Sequence, residues 1–473
     1  MPIPAQTPIA QLAKPDNQSW RDHLLTLLHI GAELEHCLMV EYLYGAYSLG
    51  GPQVPEEHRH DVNRWRDTIL TVAREEMGHL LCIQNLITLL GGQINLSRTD
   101  YPWDSPYYPF RFSLEPLSLD SLGCYVFAEM EPDMPGRDGS GTKRGKEFEK
   151  DLARIREIAR KAAGGHPHHV GEIYEPILKI ISDPTLIPDS AFDAGSYAFQ
   201  SNWDEWGKGH RPTPDDQDAA PVSGRHLSNV LVFQMATRTE AIAALREVAG
   251  QGEAPHLRGR IGRGRDPQSG ESVAEEPSHF DRFVQVYQGF EKAKGWEPTR
   301  ACPVNPTTLE QPHGASDKTY IESDHSRGWA ELFNLRYRML LTNIAHTYRL
   351  QRTTDPDVPN LRSMTLHRTF GDMYNIKALS DLLFRMPLTD RAGDPRRAGP
   401  PFQPPYSTNL PDRESDCWAL HRDLLSSSER LTARLGQDAT GDGRRYLETL
   451  AGLDRQAISW IDTMRAARGG PRS

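Results

Sequence analysis

A glutamate and a histidine lie three residues apart, as Glu76 and His79, within the helix-periodic run of residues 62–90. Side chains three residues apart on a helix point to the same face. That face also carries the apolar residues Ile69, Val72, Ala73, Leu80 and Ile83. Because an unpaired carboxylate is costly to bury, the pattern predicts a helix bundle with a neutralising partner inside it. A metal ion is the leading candidate for that partner.

The composition allows a helical core but leaves much of the chain in irregular structure. The chain has 473 residues, of which 38 are glycine and 36 are proline, and its hydrophobic fraction is 37%. This length suffices for one large domain or two ordinary ones. Alternating strand patterns are sparse, so we predict an all-α fold with long irregular loops.

Charge and hydropathy argue against two classes of partner. The net charge of −10 disfavours nucleic-acid binding, which requires a basic face. No run of eighteen apolar residues occurs, so we expect no membrane partner. The N-terminal stretch does not resemble a secretory signal, and the five cysteines are scattered without CxxC spacing. We therefore expect a cytoplasmic protein with reduced thiols.

Helical periodicity and glycine breaks divide the chain into two predicted domains. We predict a metal-binding bundle over residues 1–290, with core helices at about 20–50, 62–90, 169–182 and 238–290. Residues 291–473 are predicted as a helical extension that packs on the bundle, with helices at about 326–350, 361–385, 414–435 and 443–466. A shorter helix is expected at 117–131, an exposed loop at 133–148, and long excursions at 98–116, 183–225 and 387–412.

The first predicted helix offers two acids that could face Glu76 across the core. Glu35 shares an apolar stripe with Leu28, Gly31, Leu38, Met39 and Tyr42. Glu41 lies on a flank with Leu34, Cys37, Leu38 and Gly45. We prefer Glu35 because of its stripe, and Glu41 remains the alternative.

Three further residues complete a ligand set, although each also has an ordinary explanation. Glu172 falls near a helix start, where the helix dipole already favours a carboxylate. Glu253 is equally consistent with a loop acid, and His279 with a capping or surface histidine. Along the chain, the candidates follow one another as an acid (Glu35), an acid with a histidine (Glu76 and His79), an acid (Glu172), and a second acid with a histidine (Glu253 and His279). Chance rarely produces that succession.

The composition of this set indicates the chemistry. Carboxylates and imidazoles suit iron, manganese and zinc, and two metal ions about 3.5–4 Å apart need bridging acids and terminal ligands. We predict two iron ions, with manganese or zinc as alternatives, bound by Glu35, Glu76, His79, Glu172, Glu253 and His279. Glu129 and the HPHH stretch at 166–169 are weaker candidates, because acids at helix ends and histidine-rich loops are usually exposed.

Six stretches of the chain match the motifs of a known enzyme family. They are AELEHCLMVEYLYGAYSLGG, AREEMGHLLCIQNLITLLGG, VGEIYEPI, the pair AGQGEAP and SHFDRF, and RAGPPFQ. They resemble the ferritin-like domain of iminophenyl-pyruvate dimer synthases, bisindole-pathway enzymes that act on imines made by an amino-acid oxidase. The resemblance spans roughly residues 20–410. It implies a ferritin-like four-helix bundle in which the same six residues bind metal and an insertion separates Glu253 from His279.

The bisindole enzymes are much larger than this chain, so the resemblance implies the fold and the metal ligands more strongly than the substrate. We predict a metal-dependent enzyme of specialised metabolism that acts on a small amino-acid-derived substrate, such as an imine or keto acid. Oxidation or oxidative coupling is the expected reaction. The sequence leaves the oligomeric state open, with a homodimer as one candidate. Metal storage or sensing without turnover is the alternative, which the long loops disfavour because lids suit an organic substrate. A scaffold without metal would not need the ligand set.

Overall fold

The protein is almost entirely helical over residues 14–103, 105, 107–131, 143–206, 230–252, 277–310, 317–353 and 360–467, which the computed structural model describes. These residues form twelve α-helices, several short 3-10 turns and one pair of two-residue parallel strands, β1 (Pro306–Thr307) and β2 (Thr319–Tyr320). The predicted all-α class is confirmed. Among the described helices, none is both long and apolar enough to cross a membrane.

The chain divides into two compact units, residues 1–98 with 102–299, and residues 99–101 with 300–473. The first unit contains α1 (Trp20–Ser48), α2 (Arg59–Leu89), α3 (Leu119–Ala128), α4 (Lys143–Ala162), α5 (Tyr174–Ser182), α6 (Trp203–Trp206), α7 (Arg238–Gln251) and α8 (His279–Phe290). Helix α1 packs along α2, α8 contacts α2 and α3, and α5 contacts α1 and α7. The expected domain boundary after residue 290 lies just before the observed division.

The two longest helices of the first unit run antiparallel and in register. Ser19 caps α1 by accepting a hydrogen bond from the backbone N–H of Asp22 at 3.1 Å. The Arg21 guanidinium then donates to the Leu90 carbonyl at the end of α2, with an Nε–O distance of 2.9 Å. Glu35 follows Arg21 by 14 residues, and Glu76 precedes Leu90 by 14 residues. Because every helical residue rises by the same amount, the two glutamates lie at the same level.

The predicted fourth core helix at 238–290 is described as two helices, α7 and α8, and residues 253–276 lie outside the described part of the chain. The predicted helix at 169–182 begins as a 3-10 turn, Val170–Ile173, and continues as α5. The excursion at 183–225 contains two 3-10 turns and α6 before its described part ends at residue 206.

The exposed loop predicted at 133–148 is wrong from residue 143 onward, where α4 begins; residues 132–142 lie outside the described part. Helix α4 extends to Ala162 and was not predicted. Its apolar residues Leu152, Ile155 and Ala159 follow helical spacing and are fully buried. The surrounding lysines, arginines and glutamates, together with Gly145, obscure this narrow stripe in the sequence.

The second unit is built from α9 (Asp324–Thr347), α10 (Leu361–Leu383), α11 (Glu414–Leu435) and α12 (Gly441–Ala467). Helix α9 packs against α10 and α11, and α11 packs against α12. Their shared apolar core consists of Met339, Leu350, Leu361, Trp418, Leu424, Leu425 and Ile461. A buried guanidinium also crosses this unit, because Arg336 binds Asp454 at 2.6 Å and Asp372 at 3.3 Å.

Candidate metal centre

Glu35 from α1 and Glu76 and His79 from α2 form the first of two buried groups of metal-type ligands. His79 Nδ1 lies 2.9 Å from Glu76 Oε2 and 3.7 Å from Glu35 Oε2. All three side chains are at most 1% exposed. The predicted helical spacing therefore does bring the acid and the histidine of α2 together with an acid of α1.

Glu76, Glu129 and His279 form the second group. His279 Nδ1 lies 2.8 Å from Glu76 Oε1 and 3.4 Å from Glu129 Oε2. Glu129 immediately follows the last residue of α3, and His279 is the first residue of α8. A carboxylate at a helix C-terminus opposes the helix dipole, so a fully buried Glu129 needs positive charge nearby.

Glu76 belongs to both groups and connects them. Its Oε2 faces His79 and its Oε1 faces His279. The two imidazole rings are stacked, with centroids 5.4 Å apart. A carboxylate that presents one oxygen to each of two imidazole-containing groups has the geometry of a bridging ligand between two metal ions.

The ligand atoms of these groups are incompletely satisfied by the protein. Within the described part of the chain, four of these buried atoms make no hydrogen bond of good geometry: Glu35 Oε2, Glu76 Oε1, Glu129 Oε2 and His279 Nδ1. The 2.8 Å contact between His279 Nδ1 and Glu76 Oε1 is therefore a close approach of two charged groups and not a well-aligned hydrogen bond. Buried polar atoms without partners are rare and costly. Three carboxylates and two imidazoles that converge in this way are the donor set that iron, manganese and zinc prefer.

A glycine within the motif allows another segment to lie against α2 next to the centre. A β-carbon at Gly78 would approach the backbone oxygen of Leu231 to 2.7 Å, which no real side chain tolerates. Cys82 Sγ donates to the same Leu231 oxygen at 3.4 Å, and Asn85 Nδ2 donates to the Phe233 oxygen at 2.7 Å. Gly78 therefore allows the segment that contains Leu231 and Phe233 to lie directly against α2.

Both histidines direct Nδ1 towards the centre because their other nitrogens are bound elsewhere. His79 Nε2 lies 3.1 Å from Gln251 Oε1. His279 Nε2 lies 3.0 Å from Glu75 Oε2, and Glu75 also binds the buried Arg282 guanidinium. Such partners set the tautomer and ring orientation of metal-binding histidines. Neither Glu75 nor Gln251 was predicted, and only their positions next to Glu76 and near Glu253 hint at this role.

Glu75→Gln is expected to weaken metal binding at the second group by about 10- to 100-fold, because the amide loses the charge that orients and polarises His279. Titration with Co²⁺ should show weaker binding of one ion per chain and unchanged binding of every other ion. Glu57→Gln, at an exposed acid of a 3-10 turn, is the matched control and should bind as the wild type does. Equal affinities in both variants would contradict the positioning role of Glu75.

Two buried tyrosines hold the remaining carboxylate oxygens. Tyr42 donates to Glu129 Oε1 at 2.5 Å, and Tyr174 donates to Glu35 Oε1. Each glutamate thus has one oxygen bound by a phenol and the other directed towards the histidines. These hydrogen bonds fix the carboxylate planes before any cation binds.

The pKa values reflect the dense buried charge. Burial and the charge of Glu76 raise the pKa of Glu35 to about 7, against the opposing effect of His79. Burial alone would lower the pKa values of His79 and His279, but Glu76 and the other neighbouring acids raise both well above the usual value. Without metal, Glu35 is therefore partly protonated at neutral pH and both histidines carry protons.

Metal affinity is consequently expected to rise with pH between 6 and 8. A metal ion must displace the protons of the two histidines and, below about 7, that of Glu35. Each displaced proton contributes about tenfold in affinity per pH unit. Competition of Co²⁺ with a chromophoric chelator at several pH values measures the slope, and weakly buffered solution reports the protons released. A flat profile would contradict this protonation scheme.

The predicted site residues fall into three classes in the structure. Glu35, Glu76, His79 and His279 converge. The alternative Glu41 belongs to neither group, and its Oε1 accepts a hydrogen bond from the Ser113 N–H at 2.6 Å. Glu172 is in neither group, since its Oε1 accepts from the His169 N–H at 3.0 Å. Glu253 lies outside the described residues.

Glu129 was expected to be exposed, and that expectation is wrong because its side chain is fully buried. It lies in the second group with Glu76 and His279, whereas the predicted ligand Glu172 lies in neither group. The signal was present in the sequence, where Glu129 extends the apolar stripe of Leu122 and Val126. A helix-end position is a weak argument for exposure when the stripe continues through it.

Three comparisons relate this chain to known proteins. A family model described as Ferritin-like matches residues 28–288, more than half of the chain and all five residues of the two groups. Dichlorochromopyrrolate synthase from Lentzea aerocolonigenes is 25% identical over 419 residues, which are 81% of this chain and 36% of that protein. A ferritin-like protein from Caulobacter vibrioides, known from a crystal structure, aligns with a TM-score of 0.40 and 13% identity over 76% of this chain and 96% of that one.

Proposed function

Because this chain belongs to the ferritin-like family, we propose that it is a non-haem di-iron enzyme of specialised metabolism. The observation that carries the proposal is Glu76, whose two oxygens face two different histidines. In this proposal Glu35, Glu76 and His79 would hold one metal ion, and Glu76, Glu129 and His279 would hold the other. Iron is our assignment, and manganese or zinc would suit the same donors.

Glu253 remains our candidate for a sixth ligand. The preceding residue, Gly252, lies beside both groups, since a β-carbon there would be 3.5 Å from His79 Cε1 and 3.5 Å from His279 Nδ1. A fourth carboxylate would balance the charge of two divalent cations. The absence of a side chain at Gly252 also leaves room next to the centre for a small ligand.

Bound iron would supply dioxygen activation and the electrons exchanged with a substrate. The chain itself orients the ligands, since Gln251 and Glu75 hold the histidines and two tyrosines hold the carboxylates. It also excludes bulk water, because all five proposed ligands are buried. A dry, pre-oriented site with a bridging acid suits oxidation of an organic molecule.

We propose an amino-acid-derived imine or keto acid as the substrate. A cavity of about 340 Å³ lies in the first unit, lined by cations at Arg111 and Lys161 and by acids that include Glu41. A small molecule with a carboxylate and an amine or imine nitrogen matches these mixed charges. Tyr125 lines the cavity and packs on Tyr42, the residue that binds Glu129, with ring centroids 4.8 Å apart, so Tyr42 lies between the cavity wall and a proposed ligand.

The experiment combines metal analysis with oxygen uptake. The protein is loaded with Fe²⁺ without oxygen, desalted and mixed with arylpyruvates, with and without ammonium ion, which forms the imine in solution. We expect about two irons per chain and oxygen consumption that depends on the organic substrate. The double variant Glu76→Ala, His79→Ala controls for uptake caused by free iron.

Two other outcomes would overturn the proposal. Iron binding with oxygen uptake that no organic substrate increases would favour storage or sensing. Failure to bind iron, manganese or zinc would leave a scaffold. The cavity lined by charged groups favours the enzyme over both alternatives, because neither storage nor a scaffold needs it.

A further inference from the structure

A second cluster of metal-type ligands lies in the second unit, apart from the proposed di-iron centre. His346 near the end of α9 meets Glu414 and Cys417 in the first turn of α11. One donor atom from each residue lies within 4.8 Å of the others. His346 and Cys417 are fully buried, and Glu414 is about one-third exposed.

The three donors converge because of helix geometry. Glu414 and Cys417 are three residues apart and share one face of α11. His346 Nε2 faces that carboxylate, at 3.1 Å from Oε1 and 3.2 Å from Oε2. An ion pair would account for the histidine and the glutamate alone. It would not require a sulfur atom as a third donor at the same point.

The other nitrogen of His346 has a partner of its own. His346 Nδ1 lies 2.9 Å from His421 Nε2, one turn further along α11 from Cys417. This contact orients the His346 ring so that Nε2 points at Glu414 and Cys417. Metal-binding histidines commonly have such a second hydrogen bond.

The segment before α11 is held in place from the end of α9 and from the cluster itself. The Arg349 guanidinium donates to the carbonyl oxygens of Pro411 and Asp412. Cys417 Sγ donates to the same Pro411 oxygen at 3.2 Å. The first turn of α11 is thus fixed against the end of α9, and the three donors need no large rearrangement to bind a common ion.

We propose that His346, Glu414 and Cys417 bind a structural or catalytic Zn²⁺ ion, separate from the proposed di-iron centre. One nitrogen, one oxygen and one sulfur donor suit zinc, and three protein ligands leave a fourth position for water. Binding requires the thiolate, so the Sγ–H bond to Pro411 is lost and the thiol proton passes to solvent. The ion would join α9 to α11.

Cobalt distinguishes this site from the other one. Co²⁺ replaces zinc, and a thiolate ligand gives it a sulfur-to-metal charge-transfer band in the near ultraviolet. The two groups of the first unit offer only oxygen and nitrogen donors. The full-length protein titrated with Co²⁺ is expected to show this band, whereas Cys417→Ser is expected to lose it together with one cobalt ion per chain.

Cys302→Ser is the matched control, because Cys302 lies in the same unit outside the cluster. It should keep the band and the wild-type stoichiometry. Glu414→Gln provides a second variant at a partly exposed position. It should lower the affinity for the cobalt ion that gives the band by at least about tenfold. Absence of the band in the wild type, or its persistence in Cys417→Ser, would overturn the proposal whether or not the di-iron centre forms.

Discussion

Replacing Glu76 and His79 together with alanine is expected to reduce bound iron from about two ions per chain to none. Glu76 is shared by both ligand groups, so its loss removes a ligand from each, and loss of His79 removes a nitrogen donor from the first group. Alanine is the best helix former, so α2 should persist. Elemental analysis after desalting measures the iron, and far-ultraviolet circular dichroism measures the helix content.

Two control variants separate this centre from the other acids. Glu41→Gln and Glu172→Gln remove acids that the sequence also offered as ligands but that lie in neither group. Both should retain the wild-type amount of iron, whereas Glu129→Ala should lose one ion and keep the other. Stoichiometric iron in the double alanine variant would disprove the assignment of the centre to α2.

Arg336→Met is expected to lower the free energy of unfolding of the second unit by about 3–5 kcal/mol. The Arg336 guanidinium is 2% exposed and binds Asp372 and Asp454, which are also buried. The methionine fills a similar volume but leaves the carboxylates without this charge partner. For a unit of this size the loss corresponds to a melting temperature lower by roughly 10 °C, which scanning calorimetry would detect.

Arg434→Met provides the matched comparison within the same unit. Arg434 pairs with Glu331 at 2.8 Å, but both side chains are substantially exposed, at 59% and 43%. Exposed pairs contribute only about 0–1 kcal/mol. If Arg336→Met cost no more than this, the buried network would not stabilise the unit. Replacing Asp372 and Asp454 with asparagine as well should recover part of the loss, because it removes the unpaired charges.

The parts of the centre that follow from local spacing could be predicted from the sequence. Glu76 and His79 share a face of α2, and the stripe around Glu35 distinguished it from Glu41. Both are properties of single helices. The helical class and most helix positions follow from the same periodicity, whereas α4 was missed because charged residues dilute its apolar stripe.

The parts that depend on distant segments could not be predicted in this way. The preference for Glu172 over Glu129 rested on motif order, and motif order does not encode which helix ends face the centre. The contacts of His79 with Gln251 and of His279 with Glu75 join residues 172 and 204 positions apart. No spacing argument reaches so far along the chain, and only the three-dimensional packing reveals these partners.

The register between α1 and α2 has a consequence for how this chain can vary. One extra residue between Arg21 and Glu35 would rotate every later side chain of α1 by about 100° and carry Glu35 off the bundle axis. Lengthening the connection between Gly252 and His279 leaves the rotational phase of α1 and α2 untouched. Among related sequences, insertions and deletions should therefore be frequent in that connection and rare in the interiors of the two long helices.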